Sequence, residues 1–509
     1  MNARVLSAVL NGIEGIPVDV EVEISPGLSA FEIVGLPETT VRESRVRVLS
    51  ALRNLGHRAT SRRITVNLAP ADVRKHGSLY DLPVAVGVLA CMEAFPISAL
   101  QNRALLGELS LDGVVRPVPG VLPMVAAARD RGVQEVIVPP ANAAEAAAVR
   151  GVKSLAASTL EEVVSYLAGK GTLPEAMPVE STVPWANRAG IDLADVCGQA
   201  HVKRAIEIAA AGWHNLLMVG PPGSGKTMLA RRLLTVLPAM SYEEAMETTK
   251  VHSVAGLLRN KSGLIQDRPF RAPHHTASTA AVAGGGAPPR PGEVSLAHNG
   301  VLFLDELPEW RRDVLETLRQ PVEDRVVTIC RASGALTYPA DFLLVAAMNP
   351  CPCGYFGDHR HRCSCSPQEV SRYRGRVSGP LLDRIDLHVE VPAVPFRDLN
   401  RRGKGETSEQ VRARVVRAKE IQAARFEGTA TRFNSRMNAQ QVARFCATPP
   451  EATRLLEVAM ERLGLSARAL DRILKVARTI ADLEGSEEIK AVHVSEAIQY
   501  RLLDRAQLT

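Results

Sequence analysis

One stretch constrains the fold of this chain more than any other: an apolar run that ends in a glycine-rich loop and continues into a helical pattern. The run is Leu216-Leu-Met-Val-Gly-Pro-Pro-Gly-Ser-Gly-Lys-Thr227. It predicts a buried strand, a phosphate-binding loop and a helix, in that order. We expect Lys226 to reach the β- and γ-phosphates of ATP and Thr227 to ligate Mg²⁺. The loop residues predicted to cradle the phosphates are Gly220, Pro221, Pro222, Gly223, Ser224, Gly225, Lys226 and Thr227.

A second apolar run, Val301-Leu-Phe-Leu-Asp-Glu306, ends in two acidic residues. An uninterrupted apolar run is typical of a strand that is buried on both faces. Asp305 is then expected to hold Mg²⁺ through water, and Glu306 to polarise the attacking water. The alternative is an ordinary core strand whose acidic residues cap the next helix. With the loop upstream, we expect hydrolysis of ATP and not binding alone.

Two further residues extend the predicted site. A third apolar run ends at Asn349, whose amide is expected to contact the γ-phosphate or the attacking water, although Asn349-Pro350 is also ordinary turn chemistry. Arg384, in Gly379-Pro-Leu-Leu-Asp-Arg-Ile-Asp386, is predicted at a subunit edge. An arginine supplied across such an edge accelerates phosphoryl transfer by about 10³ to 10⁵. The alternative for Arg384 is a salt bridge within the chain, to Asp383 or Asp386.

Half of the eight cysteines lie in one short segment. In a reducing compartment, two Cys-x-Cys pairs around a Gly/His loop favour four thiolates around Zn²⁺ over disulfides. The alternatives are reduced thiols, or a site that uses His359 or His361. The predicted zinc ligands are Cys351, Cys353, Cys363 and Cys365.

Composition limits the class of protein. At 509 residues the chain is long enough for several domains, and a hydrophobic content of 46% with 23% charged residues is typical of a globular protein. There is no signal-peptide pattern at the N-terminus and no apolar run long enough to cross a bilayer, so we expect a cytoplasmic protein without a membrane partner. The net charge of +6 is too mild to identify a nucleic-acid-binding protein by itself.

The pattern along the chain predicts three folded parts. Residues 1–168 have mixed α/β patterns, residues 169–188 form a linker rich in Gly, Pro and Glu, residues 189–395 form the nucleotide-binding core, and residues 396–509 are helical. Within the core, a polar excursion spans Lys250 to Asn299, and Val326 to Tyr338 has the pattern of two short strands about a Ser-Gly turn.

Basic residues in these two segments could grip the phosphates of an acidic polymer such as DNA, without reading a base sequence. The alternative for each of them is an ordinary solvated side chain. The predicted DNA contacts are Arg259, Lys261, Arg271 and Arg331.

The loop, the acidic strand, the Asn strand and Leu-Leu-Asp-Arg together resemble an AAA+ ATPase of the magnesium-chelatase-like branch. Gly292-Glu-Val-Ser-Leu-Ala-His-Asn-Gly300 and Arg271-Ala-Pro-His-His-Thr-Ala-Ser278 resemble the YifB/ComM competence group in particular. The resemblance covers nearly the whole chain. It implies an α/β fold with a P-loop parallel sheet, a helical lid and two inserted hairpins that point at the pore of a hexameric ring.

The same resemblance implies roles for individual residues. Arg384 would act in trans as the arginine finger, and Arg468, after the predicted N-cap Ser466, would be the second sensor that reaches the γ-phosphate; its alternative is a surface arginine. Val196 and Gly198 would lie by the adenine, unless Asp195-Val-Cys-Gly-Gln199 is simply a turn before a helix. The implied activity is ATP-driven branch migration or unwinding of single-stranded, duplex or branched DNA during natural transformation. The alternatives are remodelling of a metal-chelatase complex or of protein partners.

The N-terminal part resembles the Lon-type protease domain, an α+β fold of the ribosomal S5 type. The resemblance rests on Arg74-Lys-His-Gly-Ser-Leu-Tyr-Asp-Leu-Pro83 and on Gly107 to Leu122. A protease of this type needs a serine and a lysine that activates it. Leu122 occupies the position of the lysine, and Tyr80-Asp81 lies where the serine is expected, with Ser78 nearby but without a base. We therefore expect the domain to be proteolytically inactive.

Overall fold

In the computed structural model, the described residues are 1–57, 62–178, 190–258, 263–286, 289–331, 334–358, 360–394 and 405–501. The chain divides into two compact units. The first comprises Met1–Thr182, Tyr242–Ile265 and Ala332–Tyr338, and the second comprises Val183–Ser241, Gln266–Arg331 and Pro339–Thr509. Residues 179–188 of the predicted linker, 169–188, lie outside the described residues.

The first unit is built on a seven-stranded mixed sheet with the strand order β3-β4-β2-β1-β5-β8-β9. β2 pairs antiparallel with both β1 and β4, while β3 with β4, β1 with β5, β5 with β8 and β8 with β9 are parallel. A separate two-stranded sheet pairs β6 with β7. The strands are β1 Asn2–Asn11, β2 Glu14–Pro26, β3 Ala30–Val34, β4 Arg62–Ala69, β5 Arg103–Leu105, β6 Glu108–Leu109, β7 Val115–Arg116, β8 Glu135–Val138 and β9 Lys153–Ala156.

Helices cover this sheet and bury its apolar side chains in one core. Asp81–Cys91 is buried along its whole length, because its apolar residues lie against β1 and β2. The other helices of the first unit are Thr39–Asn54, Val121–Asp130, Pro140–Ala147, Leu160–Leu167 and the inserted Tyr242–Val254.

The second unit contains a five-stranded parallel sheet with the order β11-β14-β17-β10-β18. β10, β14 and β17 are buried at every residue, as their continuous apolar runs predict. All five strands run in one direction, so their carboxyl ends share one edge of the sheet, where ligands bind in such folds. The strands are β10 Leu216–Val219, β11 Phe270–Arg271, β14 Val301–Leu304, β17 Leu343–Met348 and β18 Leu387–Glu390.

Helices surround this sheet and form the C-terminal part of the chain. Ser408–Arg425 and Ala467–Glu484 contribute apolar residues to the same core as the sheet. The earlier helices of the unit are Ala200–Gly212, Lys226–Val236, Thr279–Ala283, Glu293–Leu296, Arg312–Thr317, Arg319–Asp324, Pro367–Arg374 and Gly379–Asp383. The later ones are Ser408–Arg425, Ala439–Phe445, Pro450–Leu463, Ala467–Glu484 and Ala491–Gln499.

The predicted α/β class, the parallel core sheet and the helical C-terminal part are confirmed. The excursion from Lys250 to Asn299 differs from a simple hairpin. Its first residues complete the helix Tyr242–Val254, and β11 Phe270–Arg271 joins the core sheet beside β14. Among its described residues, the two strands that pair with each other are β12 Gly284–Gly285 and β13 Arg290–Pro291. The second predicted hairpin is present as β15 Val326–Arg331 and β16 Gly334–Pro339, which pair in a two-stranded sheet. In the part of the chain that the structure describes, no helix combines the length and the apolar character needed to cross a bilayer.

Candidate nucleotide site

The phosphate-binding loop lies at the carboxyl edge of the core sheet, between β10 and the helix Lys226–Val236. Gly225 precedes this helix with φ +91°, a backbone conformation that favours glycine. The hydroxyl oxygen of Ser224 is buried and has no hydrogen-bond partner among the described residues. A buried polar atom without a partner at a helix N-terminus fits a phosphate oxygen.

Lys226 points its ammonium group back into the loop. The Nζ atom donates to the carbonyls of Gly220 at 2.7 Å and Pro221 at 3.0 Å, and to Oδ1 of Asn349 at 3.2 Å. Burial lowers the pKa of Lys226, and the carboxylates of Asp305 and Glu306 counteract this shift. The ammonium group of Lys226 therefore lies within the phosphate-binding loop and near the carboxylates of the acidic strand. This is the position expected for a residue that neutralises phosphate charge.

Thr227 and Asp305 form the pair expected for Mg²⁺. The Thr227 hydroxyl donates to Oδ2 of Asp305 at 2.8 Å, although β10 and β14 are separated in the sheet by β17. Hydroxyl and carboxylate oxygens are the ligands that Mg²⁺ prefers. The donor set therefore fits the ion.

Glu306 is the second residue after β14, which ends at Leu304, and its backbone has φ +51°. Its side chain is 53% exposed, and Oε2 lies 3.3 Å from Nδ1 of His275. The backbone carbonyl of Asp305 accepts a hydrogen bond from Nε1 of Trp310 at 2.9 Å, which fixes the turn. Glu306 can therefore reach solvent beside the loop while a histidine fixes its carboxylate.

The sequence motifs did not predict that His275 contacts Glu306 or that Gln199 contacts the phosphate-binding loop. Nε2 of Gln199 donates to the carbonyls of Ser224 at 3.1 Å and Pro392 at 2.9 Å, which ties the Asp195–Gln199 segment to the phosphate-binding loop. Val196 is buried and Gly198 is exposed in the same segment. The segment thus lies beside the loop, where a nucleotide base is expected, and the adenine contacts remain predictions.

Arg384 makes a salt bridge within the chain, but not to the residues considered from the sequence. Its guanidinium donates to the Glu323 carboxylate and to the carbonyl of Pro380, and its side chain is 12% exposed. Asp386 instead accepts hydrogen bonds from the backbone N–H of Asn215 and interacts with His214, both at 3.2 Å. Action of Arg384 in trans stays a prediction.

The helix Ala467–Glu484 begins as predicted, because the Ser466 hydroxyl accepts a hydrogen bond from the backbone N–H of Ala469 at 3.2 Å. Arg468 is exposed in the first turn of this helix. The contact between Arg468 and the γ-phosphate stays a prediction.

The four predicted DNA contacts differ in what the structure shows. Arg259 and Lys261 lie outside the described residues, and Arg331 ends β15 with a side chain that is also outside them. Arg271 is half-buried, and its guanidinium binds both carboxylate oxygens of Glu293 at 2.6 and 2.7 Å. Glu293 raises the pKa of Arg271 through this contact, so the charge of Arg271 is already neutralised within the chain.

The four predicted zinc ligands come together in one cluster. The sulfur atoms of Cys351, Cys353, Cys363 and Cys365 all lie within 4.8 Å of one another, and all four cysteines are free thiols. The cluster could therefore hold a metal ion.

In the first unit, the residues at the positions expected for the Lon-type serine and lysine make other contacts. Leu122 is fully buried, and its backbone N–H donates to Glu145 at 2.8 Å. The Ser78 hydroxyl donates to the Glu108 carboxylate, and the buried Asp81 is paired with Arg47. Proteolytic inactivity stays a prediction, which these contacts support.

Comparison with known proteins decides the family. The chain is 47% identical to the competence protein ComM of Haemophilus influenzae over 508 residues, which cover 99% of this chain and 98% of that protein. It belongs to the ComM/YifB family. The protein YifB of Escherichia coli is 44% identical over 97% of this chain and 96% of its own length.

Three family models match successive parts of the chain. "Magnesium chelatase, subunit ChlI" matches residues 192–399, "Subunit ChlI of Mg-chelatase" matches residues 20–142, and "Magnesium chelatase, subunit ChlI C-terminal" matches residues 405–501. Lon protease 2 of Bacillus subtilis is 28% identical over 148 residues, 28% of this chain and 26% of that protein. As a member of the ComM/YifB family, the chain has the AAA+ ATPase core of the magnesium-chelatase type and a Lon-like N-terminal region.

Proposed function

We propose that this protein is an ATP-driven motor that moves DNA, by branch migration or unwinding, when incoming DNA is integrated during natural transformation. The observation that carries the proposal is the convergence of Lys226, Thr227, Asp305, Glu306 and Asn349 at one sheet edge, in a chain similar over its full length to a competence protein. A cytoplasmic location, where ATP and incoming DNA meet, is part of the proposal.

The residues at the sheet edge have different roles in ATP hydrolysis. Lys226 and the backbone N–H groups of the loop bind the β- and γ-phosphates, and Thr227 and Asp305 hold Mg²⁺. When bound, Mg²⁺ neutralises charge on the phosphate oxygens. Glu306 accepts a proton from the attacking water, and Asn349, held against Lys226, orients that water or the γ-phosphate.

The protein acts as a homo-oligomeric ring, most simply a hexamer. Arg384 of one subunit completes the site of the next, where it stabilises charge in the transition state. Within one chain the same arginine is held by Glu323, so assembly requires it to exchange this carboxylate for phosphate oxygens.

DNA is the proposed substrate, gripped through its phosphates by basic residues of the β15–β16 hairpin and of the excursion from Lys250 to Asn299. Such contacts do not depend on the base sequence. On duplex DNA, the logarithm of the association constant decreases linearly with the logarithm of the salt concentration, with a slope of roughly −0.9 for each phosphate neutralised. Arg331 is the main candidate in the hairpin. Arg271 contributes less than the sequence alone implies, because Glu293 already binds it.

The test is ATP turnover with no DNA and with single-stranded, duplex or four-way branched DNA, at two salt concentrations. We expect branched DNA to stimulate turnover most, and strand exchange on a labelled junction to require ATP and Glu306. Porphyrin-dependent insertion of Mg²⁺ without an effect of DNA would favour a chelatase motor instead. Stimulation by neither DNA nor porphyrin would favour remodelling of protein partners, and either result would overturn the proposal.

A further inference from the structure

The cysteine cluster has the geometry of a site for one small metal ion. The sulfur of Cys351 lies 3.3 Å from that of Cys353 and 3.7 Å from that of Cys363, and Cys353 and Cys363 are 3.5 Å apart. Four sulfurs around one Zn²⁺, each bonded at about 2.3 Å, are separated by about 3.8 Å in a tetrahedron. A disulfide needs sulfurs about 2.05 Å apart, so these pairs are too distant for that bond.

Two backbone N–H groups of the same segment point at sulfur atoms of the cluster. The backbone N–H of Cys353 donates to the sulfur of Cys365 at 3.4 Å, and that of Phe356 donates to the sulfur of Cys351 at 3.3 Å. Such hydrogen bonds orient metal-binding sulfurs and stabilise their negative charge. They also join the two Cys-x-Cys pairs to each other and tie Phe356 to Cys351.

The described residues supply four sulfur ligands without a histidine. The ring of His361 lies 3.8 Å from an oxygen of Asp358, and its centroid is 4.7 Å from that of Tyr355. Its side chain is 61% exposed. His359, the other alternative considered from the sequence, lies outside the described residues. Four thiolates in a tetrahedron suit Zn²⁺.

The cluster also touches the nucleotide-binding loop. Cys351 is fully buried directly after the Asn349-Pro350 turn that ends β17. Gly354, between the two cysteine pairs, packs so closely on the loop that a Cβ atom there would lie 2.5 Å from Cδ of Pro222. Arg374 fixes the other side of this segment, since its Nε donates to the carbonyl of Pro350 at 3.1 Å.

We propose that Cys351, Cys353, Cys363 and Cys365 bind one structural Zn²⁺, and that this ion holds residues 350–354 against the phosphate-binding loop. The metal fixes both ends of the cysteine-containing segment, and Gly354 transmits its position to Pro222. Loss of the metal therefore loosens the loop and weakens nucleotide binding. This second part rests on the proposed nucleotide function, whereas the metal site does not.

The first experiment counts metal in the full chain, purified without chelators, by mass spectrometry. We expect about one Zn²⁺ per chain in the wild type and in Cys330→Ser, a control at an exposed cysteine outside the cluster, and none in Cys363→Ser/Cys365→Ser. X-ray absorption at the zinc edge of the wild type should show four sulfur neighbours at about 2.3 Å. The absorption measurement needs no variant, so it decides the assignment even where the double variant fails to fold.

Three results would overturn the metal site. They are a wild type that takes up no stoichiometric zinc when Zn²⁺ is supplied, iron in place of zinc, and full zinc content in the double variant. None of these results depends on ATP or DNA.

The second experiment tests the coupling to the loop. Zinc is stripped from the wild type with a zinc-selective chelator, Mg²⁺ is restored, and binding of a fluorescent ATP analogue is titrated. We expect affinity to fall severalfold and to return when Zn²⁺ is added back. Unchanged affinity in a protein that binds zinc would refute the coupling alone, whereas a zinc-loaded protein that binds no ATP would refute the proposed function and leave the metal site standing.

Discussion

Single residues at the sheet edge have separable tasks, because Lys226 is buried among loop carbonyls whereas Glu306 faces solvent. Lys226→Ala should abolish nucleotide binding. Glu306→Gln removes only the proton acceptor, so it should bind ATP normally and turn over about 10² to 10⁴ times more slowly. Nucleotide titration and phosphate release measure the two effects. Turnover at the wild-type rate in Glu306→Gln would show that another group activates the water.

The side chain of His275 lies beside that of Glu306, with Nδ1 3.3 Å from Oε2. We expect it to be a positioning residue, so His275→Ala should lower kcat about tenfold. It should leave nucleotide affinity unchanged. His76→Ala is the control, because His76 lies in the first unit and the variant should keep its turnover. Equal losses in both variants, or a loss of affinity, would indicate a general effect on the fold.

At the scale of single residues, the sequence predicts which side chains form the site more often than it predicts which side chains they contact. The loop, the acidic pair and Asn349 follow from local motifs, since each motif is a strand and the turn after it. Glu323 beside Arg384 and His275 beside Glu306 join residues that are distant in sequence, and no periodicity or spacing encodes such pairs. The cysteine cluster could be predicted because its four sulfurs come from one short segment.

At the scale of elements, the buried strands of the core sheet were predicted, whereas the helix Tyr242–Val254 was not. β10, β14 and β17 are continuous apolar runs, so their burial follows from composition alone. Tyr242–Val254 instead buries Glu244, Thr248, Thr249 and Ser253 together with small or apolar residues. A helix that packs through polar side chains has no apolar stripe, and sequence periodicity cannot reveal it.

The contact between Ser253 and Glu145 should hold this helix on the first unit. The Ser253 hydroxyl donates to a carboxylate that is buried and also accepts from the backbone N–H of Leu122. Ser253→Ala leaves part of that carboxylate unpaired and should cost about 1–3 kcal/mol. Lys250→Ala, in the same helix, breaks a more exposed pair with Glu14 and should cost about 0–1 kcal/mol. Calorimetric unfolding of both variants measures the two costs. Equal unfolding midpoints for Ser253→Ala and Lys250→Ala would contradict the role given to the Ser253–Glu145 contact.

The cost of Ser253→Ala should also depend on pH. Burial raises the pKa of Glu145 above its unfolded value, so the ionised carboxyl disfavours folding and stability falls as pH rises from about 4.3 toward the folded pKa. The serine hydroxyl favours the ionised form and offsets part of this loss. The variant should therefore be closest to the wild type in acid and furthest from it at neutral pH, as unfolding midpoints at several pH values would show. If the difference in unfolding midpoint between the variant and the wild type did not change with pH, ionisation of Glu145 would not account for it.

At the scale of the whole molecule, the central question is whether one chain completes the site of another. Arg384→Ala should bind ATP and fail to hydrolyse it, and Lys226→Ala should fail to bind. In rings mixed from both variants, some seams pair an intact loop with an intact arginine, so turnover should reappear. Lys226→Ala mixed with Arg384→Ala/Lys226→Ala is the control, because no subunit in that mixture has a working loop. Phosphate release across mixing ratios, with ring formation followed by light scattering, tests this. Rings that form in the first mixture without regaining turnover would place the action of Arg384 within its own chain, where Glu323 already holds it.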